Sequence, residues 1–192
     1  MDFFDSIPRP EEPAGPERPK PPVWMRPDDV MPVSLPLTRM LLRSPKVAVF
    51  TDGLRAYPEG FEFTVQIRWA PGVARDRRSG PFGWHGGRPD QPSGDELRFG
   101  VLFPDGSRAA ADGFLGLRLR EQDVRPPLIH GTSGGGGSGT WEQKFWVWGL
   151  PETGPVTLVC AWSAEGLAEH RVELDGDALR AAAAQAESLW TT

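Results

Sequence analysis

The chain is poor in cysteine and lysine and contains no asparagine. Cys160 is the single cysteine among 192 residues, so an internal disulfide is impossible and nothing indicates an oxidising compartment. Only three of the 21 basic residues are lysine, a bias that we attribute to a high-GC genome. The formal net charge of −5 disfavours a nucleic-acid partner, because nucleic-acid binding rests on a basic surface.

Long apolar runs are also missing. None approaches the roughly 18 apolar residues that a membrane-spanning helix requires, so we expect no membrane partner. The first five residues, MDFFD, are acidic and lack the basic start and the apolar stretch of a secretory signal. These absences predict a cytoplasmic protein.

Proline is concentrated at the N-terminus, where ten of the 21 prolines lie in the first 36 residues. Together with Glu and Arg they form a stretch that buries too little apolar surface to offset the entropy of ordering. We predict a disordered, polyproline-like tail over residues 1–30 and a single domain over residues 31–192. Phe3-Phe4 and Trp24-Met25 are apolar islands in this tail, typical of docking motifs or of a segment that folds back on the domain.

After the tail the dominant period is two. In residues 60–69 every odd position is apolar and the intervening ones are polar, which predicts a half-buried strand. Residues 47–50 are its expected hairpin partner, through a turn at Tyr57-Pro58-Glu59-Gly60 in which Gly60 is free to take a positive φ. Residues 104–107, Pro-Asp-Gly-Ser, repeat this turn chemistry after a second alternating run. Two hairpins are thus predicted independently.

Further strands are predicted at 33–38, 115–119, 141–149, 156–162 and 170–174, and Pro36 argues for an edge position of the first. Many short strands without interleaved helices favour a mostly β fold, an antiparallel β-sandwich that is immunoglobulin-like or related.

Three segments interrupt the strand pattern. Apolar residues at helical spacing predict one C-terminal α-helix over residues 177–190, capped by Asp177. Residues 71–95 and 131–139 are rich in glycine, and we expect both to be mobile loops.

Catalytic motifs are weak. Residues 131–135, Gly-Thr-Ser-Gly-Gly, match a nucleophile elbow around Ser133, but that motif needs a tight strand-to-helix turn, and here the serine leads into more glycines. His85, His130 and His170 lack the spacing of a structural zinc site. We therefore assign no catalytic residue, metal or cofactor, and lean towards a protein that is not an enzyme.

Tryptophan is unusually frequent, with eight in 192 residues. In segment 145–148, Phe-Trp-Val-Trp, both faces of a predicted strand are apolar, although an antiparallel sheet normally leaves one face polar. The C-terminal helix with Trp190, or the returning tail with Trp24, can cover Trp146 and Trp148. Alternatively this face is exposed and binds a partner or a carbohydrate-like or hydrophobic ligand.

The first hypothesis for function is a non-enzymatic protein-interaction or binding module that engages another protein through its tail or through the face of Trp146 and Trp148. A homodimer that buries this face is an alternative to a monomer.

The second hypothesis is a small-molecule-binding or hydrolytic β-protein, with its site between loops 71–95 and 131–139. Trp84, His85, His130 and Ser133 would supply stacking, proton transfer and a nucleophile there.

The chain resembles uncharacterised small proteins of high-GC bacteria in four features. They are the Pro-rich start, YPEGFEF at 57–63, the Gly-rich stretch before Trp141 and LDGDALRAAAA at 174–184. The resemblance spans the whole chain and implies a Pro-rich tail on a β-rich domain, with no activity, cofactor or site residues attached.

Overall fold

The protein is mostly β in a computed structural model, which describes residues 21–73, 81–82, 96–111 and 124–190. The described strands are β1 Val30–Met31, β2 Val33–Arg43, β3 Val47–Tyr57, β4 Gly60–Trp69, β5 Arg98–Leu102, β6 Arg108–Ala110, β7 Leu128–Gly137, β8 Thr140–Trp148, β9 Val156–Trp162, β10 Leu167–Leu174 and β11 Glu187–Ser188, and the α-helix is α1 Gly176–Ala183. The strand predicted at 115–119 lies outside the described residues.

The larger sheet has five antiparallel strands in the order β2-β3-β4-β8-β7. The predicted edge position of the strand with Pro36 is confirmed, and the pairing register shifts between Leu35 and Thr38, beside that proline. The predicted hairpin of β3 and β4 is also confirmed, with Tyr57 opposite Gly60. Proline donates no backbone hydrogen bond, so it is tolerated at this outer strand.

The smaller sheet has the antiparallel order β10-β9-β5-β6. The second predicted hairpin, β5 and β6, is confirmed, and Gly106 in its turn has a φ of 86°. The Asp105 carboxylate accepts hydrogen bonds from the Ser107 backbone N–H at 2.8 Å and hydroxyl at 2.6 Å. These hydrogen bonds lower the pKa of Asp105 and stabilise the turn.

The hydrophobic core contains side chains from both sheets. The Phe63 ring of the larger sheet lies 6.4 Å from the Phe99 ring of the smaller sheet, and Phe99 lies 5.2 Å from Phe145. Trp69 and Trp162 meet edge to face at 6.1 Å between ring centroids. Each fully buried phenylalanine of this core contributes about 1.5–3 kcal/mol relative to exposure. Strand alternation and burial therefore direct one face of each sheet into a shared core.

The helix is shorter than the predicted 177–190. It begins at Gly176, and Asp175 rather than Asp177 is its cap, since the Asp175 carboxylate accepts from the Ala178 N–H at 3.0 Å. Asp175 lies one residue before the helix, and its carboxylate accepts a hydrogen bond from an amide that has no partner within the helix.

The chain leaves the helix after Ala183 because its backbone pairs elsewhere. In a separate two-stranded ribbon, β11 is antiparallel to β1, and the Leu189 N–H donates to the Asp29 carbonyl at 2.8 Å. Trp190 is 73% exposed. The predicted helix with Trp190 as a cover for the sheet is therefore wrong.

The glycine-rich stretch 131–139 was expected to be a loop, and this expectation is wrong. Residues up to Gly137 belong to β7, and a turn that includes Gly139, with a φ of 84°, leads into β8. A Cβ on Gly134 would overlap the Gln143 side chain, and one on Gly136 would overlap the Thr140 carbonyl oxygen. Glycine is poor at forming strands, but here it allows the two strands of the hairpin to approach closely.

Residues 21–30, predicted as part of the disordered tail, contact the domain. We call residues 21–31 the arm. Trp24 of the arm is 6% exposed, and β1 pairs with the C-terminal strand. An apolar side chain in the arm therefore has a site on the sheet.

Candidate functional site

The face of the larger sheet that points away from the core, called here the outer face, divides into two regions. The pairing register places Arg55, Glu62, Trp146 and His130 in one row across β3, β4, β8 and β7. This row lies beneath the arm. The next two rows along the strands include the polar side chains of Asp52, Thr64, Gln66, Glu142 and Lys144, which line an open groove.

The aromatic part of the first row depends on a glycine. Trp146 is fully buried and meets Tyr57 edge to face at 5.2 Å. A Cβ on Gly60 would overlap the Val147 carbonyl oxygen and crowd the Trp146 ring. Gly60 is absent from the positions with positive φ, so the predicted reason for this glycine is wrong. It leaves space for the tryptophan on the neighbouring strand.

Trp24 of the arm closes this region. The Trp146 indole N–H donates to the Trp24 backbone carbonyl at 3.0 Å, a fully buried hydrogen bond. The Trp24 ring meets His130 edge to face at 6.4 Å between centroids. We call the site formed by Tyr57, Glu62, His130 and Trp146 the Trp24 pocket.

A buried carboxylate holds the arm next to Trp24. Glu62 is only 2% exposed, and it pairs with Arg26 of the arm at 3.0 Å and with Arg55 of β3 at 3.6 Å. A carboxylate removed from water requires opposite charge and hydrogen bonds. Arg26 therefore neutralises a group that the sheet would otherwise present to solvent.

Three polar atoms in the Trp24 pocket have no hydrogen-bond partner among the described residues. They are the Trp24 indole nitrogen and both ring nitrogens of His130. Burial lowers the pKa of His130 below its ordinary value of 6.5. An unsatisfied buried polar group costs about 1–3 kcal/mol, so the arm fits the pocket at a cost in stability.

The open part of the outer face is a shallow groove. We call it the polar groove; its volume is about 560 Å³ and it is lined by residues 35–38 of β2, Asp52, Gly53, Arg55, Thr64, Gln66, Glu142 and Lys144. The buried Gln66 amide nitrogen donates to Glu142 at 2.8 Å and to Asp52 at 3.4 Å. One amide therefore holds two carboxylates in place on an open surface.

The polar groove combines donors and acceptors. Thr64 lies between Asp52 and Lys144 in the pairing register, and Glu142 lies opposite Gly135 of the edge strand. A Cβ on Gly135 would meet nothing within 4 Å, so the groove has no side-chain wall at that edge. This arrangement offers hydrogen bonds to a small polar ligand but no enclosed reaction site.

Three of the five residues predicted as a site lie on one face of the larger sheet. Trp146 and His130 lie together in the Trp24 pocket, and Trp148 is half-buried on the same face. Trp84 and His85 lie outside the described residues. Ser133 lies opposite Lys144 on β7, in a strand rather than a strand-to-helix turn, so the nucleophile elbow that requires such a turn is not formed. The stretch expected as a loop at 131–139 is a hairpin, and residues 74–80 and 83–95 of the other predicted loop lie outside the described residues.

Sequence reasoning missed Arg26, Glu62 and Gln66. Alternation in β4 placed both Glu62 and Gln66 on the polar face, where charged side chains are normally solvated. Their burial follows from neighbouring segments that the alternation does not describe. The signal that could have indicated the pairing is the Trp24-Met25-Arg26 island, an aromatic and a basic residue two positions apart.

Several chemistries have no support in the described part of the chain. No group of three or more His, Cys, Asp or Glu residues there could hold a metal ion. Burial, with a smaller contribution from the charge of Glu169, raises the pKa of Cys160 to about 12, which is the behaviour of an inert core thiol. No helix in the described ranges is long and apolar enough to cross a membrane.

The chain was compared with protein-family models, curated proteins and solved structures, and none of them matches it significantly. The functional interpretation therefore rests on the Trp24 pocket and the polar groove.

Proposed function

We propose that this protein is a non-enzymatic, cytoplasmic protein-interaction module, in which a β-sandwich, immunoglobulin-like or related, carries a recruiting tail. The sandwich is supported by the core that both sheets share, with Phe63, Phe99 and Phe145 in ring contact. Two sheets that bury one face each against a common core are the usual form of such a domain.

The observation that carries the proposal is the attachment of the arm. Trp24 and Arg26 fix the point at which residues 1–20 join the domain, through a buried hydrogen bond and an ion pair to a buried carboxylate. A Pro-rich segment with an apolar Phe3-Phe4 pair has the composition of a docking motif. Fixing one end of it on a rigid sheet restricts where the motif can reach, which raises its effective concentration near that surface.

The test compares partner recovery by three baits: the full chain, a chain without residues 1–20, and the full chain with Phe3→Ser and Phe4→Ser. We expect the second and third baits to lose a partner that the first recovers, with unchanged thermal unfolding. Asp2→Ser with Asp5→Ser is the matched control and should retain the partner. Identical recovery by all baits would remove the tail from the function.

A second candidate function is small-molecule binding, and the polar groove favours it. The carboxylates of Asp52 and Glu142, held by Gln66, accept hydrogen bonds, while Lys144 and Thr64 donate them. A neutral, hydroxyl-rich ligand such as a short saccharide, or a zwitterion, matches a groove with both signs of charge.

Thermal-shift measurements with neutral oligosaccharides and with free amino acids test this candidate. Binding should raise the unfolding temperature of the wild type and not that of Glu142→Gln with Lys144→Gln. An ester panel tests the hydrolytic version. Ser133 is excluded as the nucleophile if the wild type has no esterase activity, or if Ser133→Ala retains that activity.

A further inference from the structure

The Trp24 pocket recognises a short sequence element. Trp24 and Arg26 point to the sheet and contact buried groups, whereas their neighbours Val23 and Met25 are exposed. The recognised element is therefore tryptophan, one free position, then arginine. This element occurs once in the chain.

Exposed apolar side chains gather around the arm. Of the six large apolar residues that are exposed in the described ranges, five lie in the arm or in the C-terminal segment that pairs with it: Val23, Met25, Met31, Leu189 and Trp190. We call these five the apolar patch. The sixth, Met40, lies on β2. Exposed apolar side chains concentrated in two paired segments indicate an interaction surface.

The occupied pocket is also incompletely satisfied. The buried indole nitrogen of Trp24 and both nitrogens of His130 have no partner within the described part of the chain. The contacts of the arm leave these atoms in the same state on its own domain and on another copy, so they favour neither form. Such contacts can be exchanged for the same contacts on another molecule if the exchange buries further surface.

We propose that residues 21–26 of one copy occupy the Trp24 pocket of a second copy, and the reverse, in a symmetric arm-exchanged dimer. The second copy is the partner because its arm carries the one sequence element that the pocket is seen to bind. Every contact of Trp24 and Arg26 is made again in the exchanged form. The gain comes from burial of the apolar patch, which lies next to the point where the arm would cross over.

The chain between the anchors and the ribbon suits a hinge. Pro27 and Asp28 follow Arg26, and Asp29 is the first residue held by the ribbon, through its carbonyl. Proline and adjacent like charges favour an extended backbone. Reciprocal exchange is a closed, two-fold arrangement, so it stops at a dimer. The inference goes beyond the proposed function because it needs neither residues 1–20 nor their partner.

Sedimentation of the full chain from about 1 μM to about 1 mM tests the proposal, since exchange depends on protein concentration. We expect a monomer–dimer equilibrium for the wild type. The closed and exchanged forms share the contacts of Arg26 and Glu62, so the decisive sample is a mixture of Arg26→Glu chains with Glu62→Arg chains. Only an exchanged heterodimer restores both ion pairs, so the mixture should dimerise about tenfold or more tightly than either variant alone. Leu189→Ser changes an exposed side chain that only the dimer buries, and it should weaken dimerisation even if Glu62→Arg fails to fold.

Two controls make the outcome specific. Met40→Ala removes an exposed apolar side chain outside the patch and should leave dimerisation unchanged. A chain without residues 1–20 should still dimerise, even if it loses a recruited partner, so failure of the tail hypothesis is distinguishable from failure of this one. A wild type that is monomeric over the whole range, a mixture that dimerises no better than its two components, or a dimer that Leu189→Ser leaves at full strength would overturn the proposal.

Discussion

The two regions of the outer face share the same strands and the same alternation, yet their glutamates have opposite surroundings. Glu62 on β4 is buried beneath the arm and paired with two arginines. Glu142 on β8 is exposed in the polar groove and is held by an uncharged amide. Alternation decides which face a side chain occupies, and a covering segment decides whether that side chain meets water.

Trp146 and Lys144 provide the sharpest comparison, because they lie two residues apart on the same face of β8. Trp146→Ala should lower the free energy of unfolding by about 3–5 kcal/mol, because it leaves a cavity under the arm. Lys144→Ala should change it by less than about 0.5 kcal/mol, as is usual for substitutions away from packed sites. Urea denaturation measures both, and equal losses would contradict the division of the face.

Two glycines of the larger sheet form the next pair. Gly60→Ala should cost about 1–3 kcal/mol, because the new methyl group collides with the Val147 carbonyl and forces a backbone shift. Gly135→Ala should be neutral or slightly stabilising, because its Cβ meets open space and alanine reduces the entropy of the unfolded chain. The measurement is the denaturant midpoint, and a costly Gly135→Ala would show that the open region is covered.

Removal of the charge on the arm should have a smaller effect. Arg26→Gln should cost about 1 kcal/mol, since Arg26 is partly exposed and Arg55 still pairs with Glu62. Arg39→Gln, which changes an exposed arginine on the edge strand β2, should cost nothing measurable. Tryptophan fluorescence adds a second measurement, because loosening of the arm exposes Trp146 to water and shifts its emission to longer wavelength.

The pH dependence should be the most gradual effect. Because burial lowers the pKa of His130 in the folded protein, the unfolded chain binds a proton more readily. Stability should be complete above about pH 7 and should decline as the pH falls through 6.5 towards the lowered value. His130→Gln should flatten this decline in thermal unfolding, whereas the exposed His170→Gln should not. If the decline in stability with falling pH remains in His130→Gln, another group causes it.

The strands were the most predictable part of the fold. The alternation of β4 needs only the difference between apolar and polar side chains, and the turn around Gly106 needs only local backbone chemistry. Both are properties of a few consecutive residues. The end of α1 was not predictable in this way, since the run of alanines after Leu179 favours a longer helix, and the pairing of β11 with the arm ends it.

The candidate site was predicted only in part. The two-sided apolar character of β8 indicated that Trp146 needs a cover, and Trp24 was one of the segments considered. The partners of the arm in the pocket, Glu62 and His130, come from strands far apart in the chain. No local pattern brings a glutamate of β4 and a histidine of β7 to the same tryptophan.

By itself, the sequence determined the β character of the domain, its hairpins and the faces of its strands, because each depends on interactions between neighbours along the chain. The tertiary structure alone decided that the glycine-rich stretch is an edge strand, that the helix ends at Ala183 and that Glu62 is buried. Those outcomes depend on which distant segments pack together. There, burial and hydrogen bonding between segments outweigh the local preferences of glycine, alanine and glutamate.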